Sequence, residues 1–249
     1  MTGVGAPTSL RGMVVTATDT EVGKTFLASA ICARLRADGV AVAAHKPAVT
    51  GLDEPAPPGG RDHELLAACA GQAPAEVCPH AYGPAVSPHL AAERVGDRLD
   101  RDDLVAAARA AGRERTLVVE GIGGVLVPLN RDGFDVRALA VDLGLPLVVA
   151  ARPGLGTINH SALTIEAARA AGLEVRAVVL TPWSAGDPLA DDNRRTIAEV
   201  TGVPVHVLPR AEPTPDALAA AAAGLPVGDW VGAGLPVGDW VGAGRGCEA

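Results

Sequence analysis

Aromatic side chains make up only 2% of the 249 residues, and the chain holds two lysines and four cysteines. With so few rings, the core has to be built from the Ala, Val and Leu that dominate a 48% hydrophobic composition. A chain of this length can bury one sizeable core or two small ones. No apolar run approaches the roughly 18 uncharged residues that a membrane span needs. Met1 to Arg11 also lacks a basic stretch followed by an apolar one, so the sequence points to a soluble, cytoplasmic protein. The net charge is −8, with acidic and basic residues intermixed. That pattern excludes a general affinity for nucleic acid or a membrane surface, both of which demand clustered Lys and Arg. Cys32, Cys69, Cys78 and Cys247 lie too far apart for a Cys-x-x-Cys metal or redox motif and read as buried small hydrophobes.

The scarcity of lysine is the most informative of these absences. Of 21 basic residues, all but Lys24 and Lys46 are Arg. A planar guanidinium cannot replace a compact, rotatable ammonium, so lysines that persist in such a background mark positions where the difference matters.

Strand-length apolar runs alternate with Ala-rich helical stretches. Met13–Ala17, Val40–Lys46, Thr116–Glu120, Leu145–Ala151, Val175–Leu180 and Val203–Leu208 are predicted strands. Lys24–Ala37, Asp62–Ala70, Asp102–Ala111, Val136–Asp142, Ile158–Ala171 and Leu189–Thr201 are predicted helices, several followed by Gly. Strands this uniformly apolar are covered on both faces. The expectation is a single α/β domain over residues 12–223, a mostly parallel sheet with helices on both faces and ligands gathered at the carboxyl ends of its strands. Residues 1–11 read as a flexible extension. Gly224–Ala233 is repeated unchanged as Gly234–Ala243, and residues 224–249 read as a loosely packed appendage without a regular core.

The first strand runs into Thr18-Asp19-Thr20-Glu21-Val22-Gly23-Lys24-Thr25 and then a helix. This is the context of a phosphate-binding loop. Backbone N–H groups cradle phosphate oxygens, Lys24 neutralises the β/γ charge, and the Thr25 hydroxyl can ligate Mg²⁺. The strict pattern would place Gly at Thr18, and an ordinary helix start is the alternative. Lys46 ends the second strand at the same sheet edge, where a catalytic electrostatic role competes with a solvated strand-end lysine. Glu120 closes another strand before Gly121-Ile122-Gly123-Gly124 and is placed as a metal anchor beside that loop. Asp62, at a helix start, suits either a third oxygen ligand or an N-cap. In Gly154–His160 a strand turns into a helix, with Thr157 as its expected N-cap and free N–H groups able to hold a carboxylate.

Five motifs occur in order: TATDTEVGKT, KPAVTG, Ser87-Pro88-His89, VEGIGG and LGTINHSALT. From about Met13 to Pro209 the chain thereby resembles the dethiobiotin synthetases, a family with a P-loop NTPase-like fold. The resemblance implies ATP-dependent ring closure on 7,8-diaminononanoate with CO₂ through a carbamic-phosphoric anhydride, giving dethiobiotin, ADP and phosphate. It implies ATP and Mg²⁺ as cofactors, with Thr25, Asp62 and Glu120 on the metal and Thr20, Lys24 and Lys46 as catalytic residues. Nucleotide contacts fall to Thr20–Phe26 (with Glu21, Val22 and Gly23), Thr181 and Pro209. Substrate contacts fall to Thr20, Lys46, Thr50, Ser87, Pro88, Gly123 and Gly156–Asn159 (with Thr157 and Ile158). The last of these come from a partner subunit in the family, which implies a homodimer with the site at the subunit interface. Ala17 stands where the family usually has Gly, and Thr181 where many members have an Asn that reads adenine, which implies a weakened preference for ATP. A related amidoligase or cobyrinate-type synthetase would need a glutaminase domain, for which nothing after residue 209 is long enough. A partitioning or metal-delivery ATPase would carry an extra lysine early in the loop, and none precedes Lys24.

Overall fold

The computed structural model describes residues 9–57 and 59–236. Seven strands form one sheet: β1 Ser9–Ala17, β2 Val42–His45, β3 Thr116–Glu120, β4 Leu147–Ala151, β5 Val175–Trp183, β6 Val205–Pro209 and β7 Gly232–Pro236. The first six lie in the order β2-β3-β1-β4-β5-β6, each neighbouring pair parallel. The loops after β1, β2 and β3 therefore leave from the same sheet edge, and β1 sits between β3 and β4. The helices are α1 Lys24–Ala37, α2 Asp62–Ala70, α3 Pro74–Val77, α4 Pro88–Arg94, α5 Arg101–Ala111, α6 Val136–Leu143, α7 Thr157–Ala170, α8 Pro188–Thr201 and α9 Pro215–Ala221. Among the described residues, no helix is long and apolar enough to cross a membrane.

Both faces of the sheet are covered, as the apolar strands require. Along β1, Met13, Val15 and Ala17 turn into a cluster with α1, α2 and Leu218 of α9. Val14 turns the other way, into a cluster with Leu104 of α5 and Leu139 of α6. Val149 and Val178 pack with Ile165 of α7 and Ile197 of α8 in a third. The period of two along each strand thus divides small aliphatic residues between two layers.

The duplicated segment differs from its expected looseness. In its first copy Val227–Trp230 forms a 3₁₀ turn, and Leu225, Val227 and Trp230 are buried with the α1 cluster. β7 then runs antiparallel to the start of β1, Gly12 opposite Gly232. It occupies the edge of β1 that β4, starting opposite Val14, leaves free. A Cβ on Gly232 would meet Pro146 Cδ at 2.5 Å, so glycine permits the approach. Three apolar anchors and a vacant strand edge together give this stretch the packing partners that its composition conceals. The expected extension is likewise shorter, since β1 already begins at Ser9. Met1–Thr8 and residues 237–249, which hold the rest of the second copy, lie outside the described residues.

Candidate active site

Between β1 and α1 the chain makes the tight loop Thr18–Gly23. Glu21 has φ 56 and Gly23 φ 93, both left-handed. Such reversals curl the main chain into a nest of N–H groups, and a non-glycine residue held there stores strain of about 1 kcal/mol or more. At Gly23 a side chain is also sterically excluded, because its Cβ would fall 2.8 Å from Thr181 Cγ2. α1 then starts at Lys24 with no side-chain cap. The N–H groups of its first turn thus lack an intrahelical acceptor and favour an anion.

That helix start opens onto a cavity of about 650 Å³. Of the candidate residues, Thr20, Glu21, Gly23, Lys24, Thr25, Phe26, Lys46, Thr50, Asp62 and Gly123 line it. Glu120 lies beneath, with no solvent exposure. Its Oε1 accepts from Thr25 Oγ1 at 2.7 Å and Lys46 Nζ at 2.8 Å, and lies 3.5 Å from Lys24 Nζ. Lys46 Nζ reaches Asp62 Oδ2 at 3.0 Å. The two lysines of the chain therefore meet at one buried carboxylate, Lys24 from the first residue of α1 and Lys46 from the residue directly after β2, which ends at His45 and not at Lys46.

The electrostatics follow from that geometry. Burial alone would push the Lys46 ammonium down, but Glu120 and Asp62 against it more than offset this and hold it above its ordinary value. For Lys24 burial prevails: despite Glu120, its value is lowered, and Lys46 pushes in the same direction. Burial would raise Asp62, yet Lys46 beside it holds the carboxyl below its usual range. Glu120 Oε2 is buried without a hydrogen-bond partner. An acceptor left orphaned next to a threonine hydroxyl and a second carboxylate suits a divalent cation. Among the described residues no group of three His, Cys, Asp or Glu could enclose a metal by itself, so a hard cation here would need water or phosphate oxygens as well.

The other candidates lie apart from the cavity. Val22 is buried in the α1 cluster. Thr181 is 1% exposed and packs against the phosphate loop through its methyl group. Pro209 ends β6, opposite Trp183. Ser87 is the residue before α4, and Pro88 is buried at that helix's first turn. At the start of α7 the N-cap is Gly156, φ 87, rather than Thr157. Thr157 is the first helical residue, with its hydroxyl buried and unpartnered. Glycine takes the cap because only it accepts the left-handed turn there without strain. This helix start faces outward: Leu155 is 82% exposed, and Gly156 and Asn159 are exposed too. Asp62 likewise is the first residue of α2 and not its cap, which is Arg61.

Sequence reasoning missed Arg61, Ile122 and Pro213, all on the cavity wall. The signal for Arg61 was its position, since arginine is a poor N-cap and stood directly before a helix opening with Asp62. Ile122 and Pro213 carried none.

An AAA domain family matches residues 11–214. An ATP-dependent dethiobiotin synthetase of Anaeromyxobacter sp. (strain Fw109-5) is 43% identical over 196 residues, covering 78% of this chain and 86% of the relative. The proteins of that name from Haloferax mediterranei and Ralstonia nicotianae are 37% identical over 217 residues and 40% over 213. They cover 86% and 84% of this chain, and 90% and 92% of their own lengths. Among solved structures, the cell division ATPase MinD of Pyrococcus furiosus superposes with TM-score 0.51 at 16% identity, over 85% of this chain and 97% of that one. A ParA family ATPase of Chlorobium tepidum gives 0.52 at 12%, over 89% and 98%. These two likenesses show a shared α/β fold.

Proposed function

Because this chain belongs to the ATP-dependent dethiobiotin synthetase family and has that family's activity, we propose that the groups converging on Glu120 are its phosphoryl-transfer machinery. The observation that carries this assignment is that both lysines of the chain reach one buried carboxylate beside an uncapped helix start. The triphosphate of ATP would lie along the Thr20–Thr25 loop. One amine of 7,8-diaminononanoate takes up CO₂ as a carbamate, whose oxygen attacks the γ-phosphorus while ADP leaves. The second amine then attacks the carbamoyl carbon, phosphate departs and the cyclic urea closes.

Phosphoryl transfer spreads negative charge over the equatorial oxygens, so positioning and cations matter more than a protein nucleophile. Lys46, already ammonium-bearing and 3% exposed, has no water shell to shed before it meets that charge. Lys24 bridges toward the β/γ oxygens from the first residue of α1. Thr20 and Thr50, both on the cavity wall, orient the carbamate and the reacting phosphate. Thr25, Asp62 and Glu120 would hold Mg²⁺, which neutralises developing charge on the phosphate oxygens. The orphaned Glu120 Oε2 supports this assignment.

The outward-facing start of α7 supports a homodimer that completes the substrate site. None of Gly156–Asn159 lines the chain's own cavity, Gly156 and Asn159 are exposed, and a groove near the phosphate loop is lined by Leu126 and Leu163, more than half exposed. A second copy would cover these leucines and bring its α7 N–H groups to the substrate carboxylate, with Ser87 and Pro88 walling the alkyl chain. Incubation with diaminononanoate, bicarbonate, Mg²⁺ and ATP tests the reading, with dethiobiotin detected by mass. Mixing inactive Lys46→Ala and Asn159→Asp subunits tests the shared site: partial recovery of activity is expected, and none would refute it.

A further inference from the structure

Arg61 lies at the junction between two parts of the site, the turn that follows Thr50 and the start of α2. Its guanidinium donates to the carbonyl oxygens of Gly51 at 3.1 Å, Leu52 at 2.9 Å and Glu54 at 2.9 Å. Its own backbone N–H donates to Glu64 Oε2 at 2.8 Å, which fixes it to the first turn of α2. The turn it grips is itself anchored. Gly51, Leu52 and Asp53 donate through their N–H groups to the carbonyls of Pro84, Tyr82 and Gly83, and the Tyr82 hydroxyl donates to Asp97 at 2.7 Å. Arg61 thus links a rigid turn, which directly follows Thr50, to a helix whose first residue is Asp62. The Asp62 carboxylate meets the Lys46 ammonium at 3.0 Å, with the Thr25 hydroxyl also beside it.

We propose that Arg61 is a positioning residue for the reaction, holding the Asp62 carboxylate at the Lys46 end of the cavity by tying the first turn of α2 to the Gly51–Glu54 turn. The proposal rests on the assignment of Asp62 to the metal and phosphate site made above. Only arginine supplies several donors in one planar fork able to reach three carbonyls at once. Lysine keeps the charge and most of the stem but converges its donors on a single point. Without the fork, α2 would still form, because its interior faces a packed core through Leu66, Ala67 and Cys69. What is lost is the register of its first turn against Lys46 and Thr50.

The test is Mn²⁺ binding followed by electron paramagnetic resonance, with and without ATP, in the full-length enzyme and in Arg61→Met, Arg61→Lys, Asp62→Asn and the Arg61→Met/Asp62→Asn pair. Thermal melts establish that each variant is folded. Arg61→Met is expected to weaken Mn²⁺ binding in the presence of ATP at least tenfold while leaving ATP binding in EDTA within twofold. Arg61→Lys should recover only a minor part of that loss. In the Asp62→Asn background the Arg61 substitution should add less than a twofold further loss, since the group it positions is already gone. Parental Mn²⁺ affinity in Arg61→Met, or a loss that multiplies in full with that of Asp62→Asn, would overturn the proposal. Should Asp62→Asn itself bind Mn²⁺ with parental affinity, both this proposal and the metal assignment on which it rests would fall. If only the Arg61 variants behave as the parent does, the assignment stands and the proposal alone falls.

Discussion

Replacing Glu120 by Gln removes one charge and almost no volume, which makes it the sharpest probe of the site. In the free enzyme the Glu120 carboxylate is wholly buried and faces two ammonium groups whose side chains are 4% and 11% exposed. Taking away one member of a buried ion pair while its partners stay costs about 3–5 kcal/mol. The amide keeps an oxygen able to accept from Thr25 and Lys46, so the lower end, ~3 kcal/mol, is the expected loss. For a domain of this size that corresponds to a fall in Tm of roughly 6–12 °C. Denaturant unfolding at neutral pH without nucleotide would measure it. The same substitution should spare or tighten ATP binding in EDTA, because the triphosphate no longer competes with Glu120 for the lysines, while the contribution of Mg²⁺ to affinity disappears. A variant within 1 kcal/mol of the parent would show that the lysines do not depend on Glu120. Loss of ATP binding in EDTA would show that the triphosphate does not lie where the lysines point.

Lys46→Arg should keep the chain folded and lower kcat by 10²-fold or more, since a planar guanidinium cannot present the compact ammonium that Lys46 places between Glu120 and Asp62; single-turnover kinetics would decide it, and near-parental rates would refute the role. His45 is buried with both ring nitrogens unpartnered, and burial, aided by nearby His80, pushes it down to about 4. The folded state then refuses a proton that the unfolded chain accepts below about 6.5, so stability declines as pH falls from there towards 4 and declines no further beneath it. Urea unfolding should show about 2 kcal/mol lost from this group between pH 7 and pH 5, and His45→Phe should remove that slope. Thr181 offers one hydroxyl where the resemblance calls for an amide, and its methyl is committed to the loop at Gly23; GTP or CTP should therefore compete with ATP within about tenfold, and strict ATP use would count against it.

The parts of this molecule that sequence made legible share one physical property, that their determinants are local. β3 over Thr116–Glu120, α1 over Lys24–Ala37 and α2 over Asp62–Ala70 match their expected bounds residue for residue, because apolar period and flanking turn residues lie within one window. The same holds for the phosphate loop and for Glu120 at its strand end. What was hidden depends on residues far apart in sequence. β1 starts at Ser9 only because β7 pairs with it, and β5 runs past Leu180 to Trp183 because β6 continues alongside, opposite Trp183. Nothing near Glu120 in sequence announces that both lysines fold onto it, and nothing near Arg61 announces a turn ten positions earlier. The Gly154–His160 motif was readable as a helix start, but its outward orientation exists only in three dimensions.

The pairing of β7 with β1 joins stretches more than two hundred positions apart. Closing so long a loop is entropically unfavourable until intervening helices have shortened the path, so this seam should zip late. It lies at the amino end of β1, whereas the nucleotide loop departs from the other end of the same strand. Breathing at the seam can therefore expose the floor of the sheet while the mouth keeps its shape, and amide exchange at Gly12 should outpace that at Val15 by orders of magnitude.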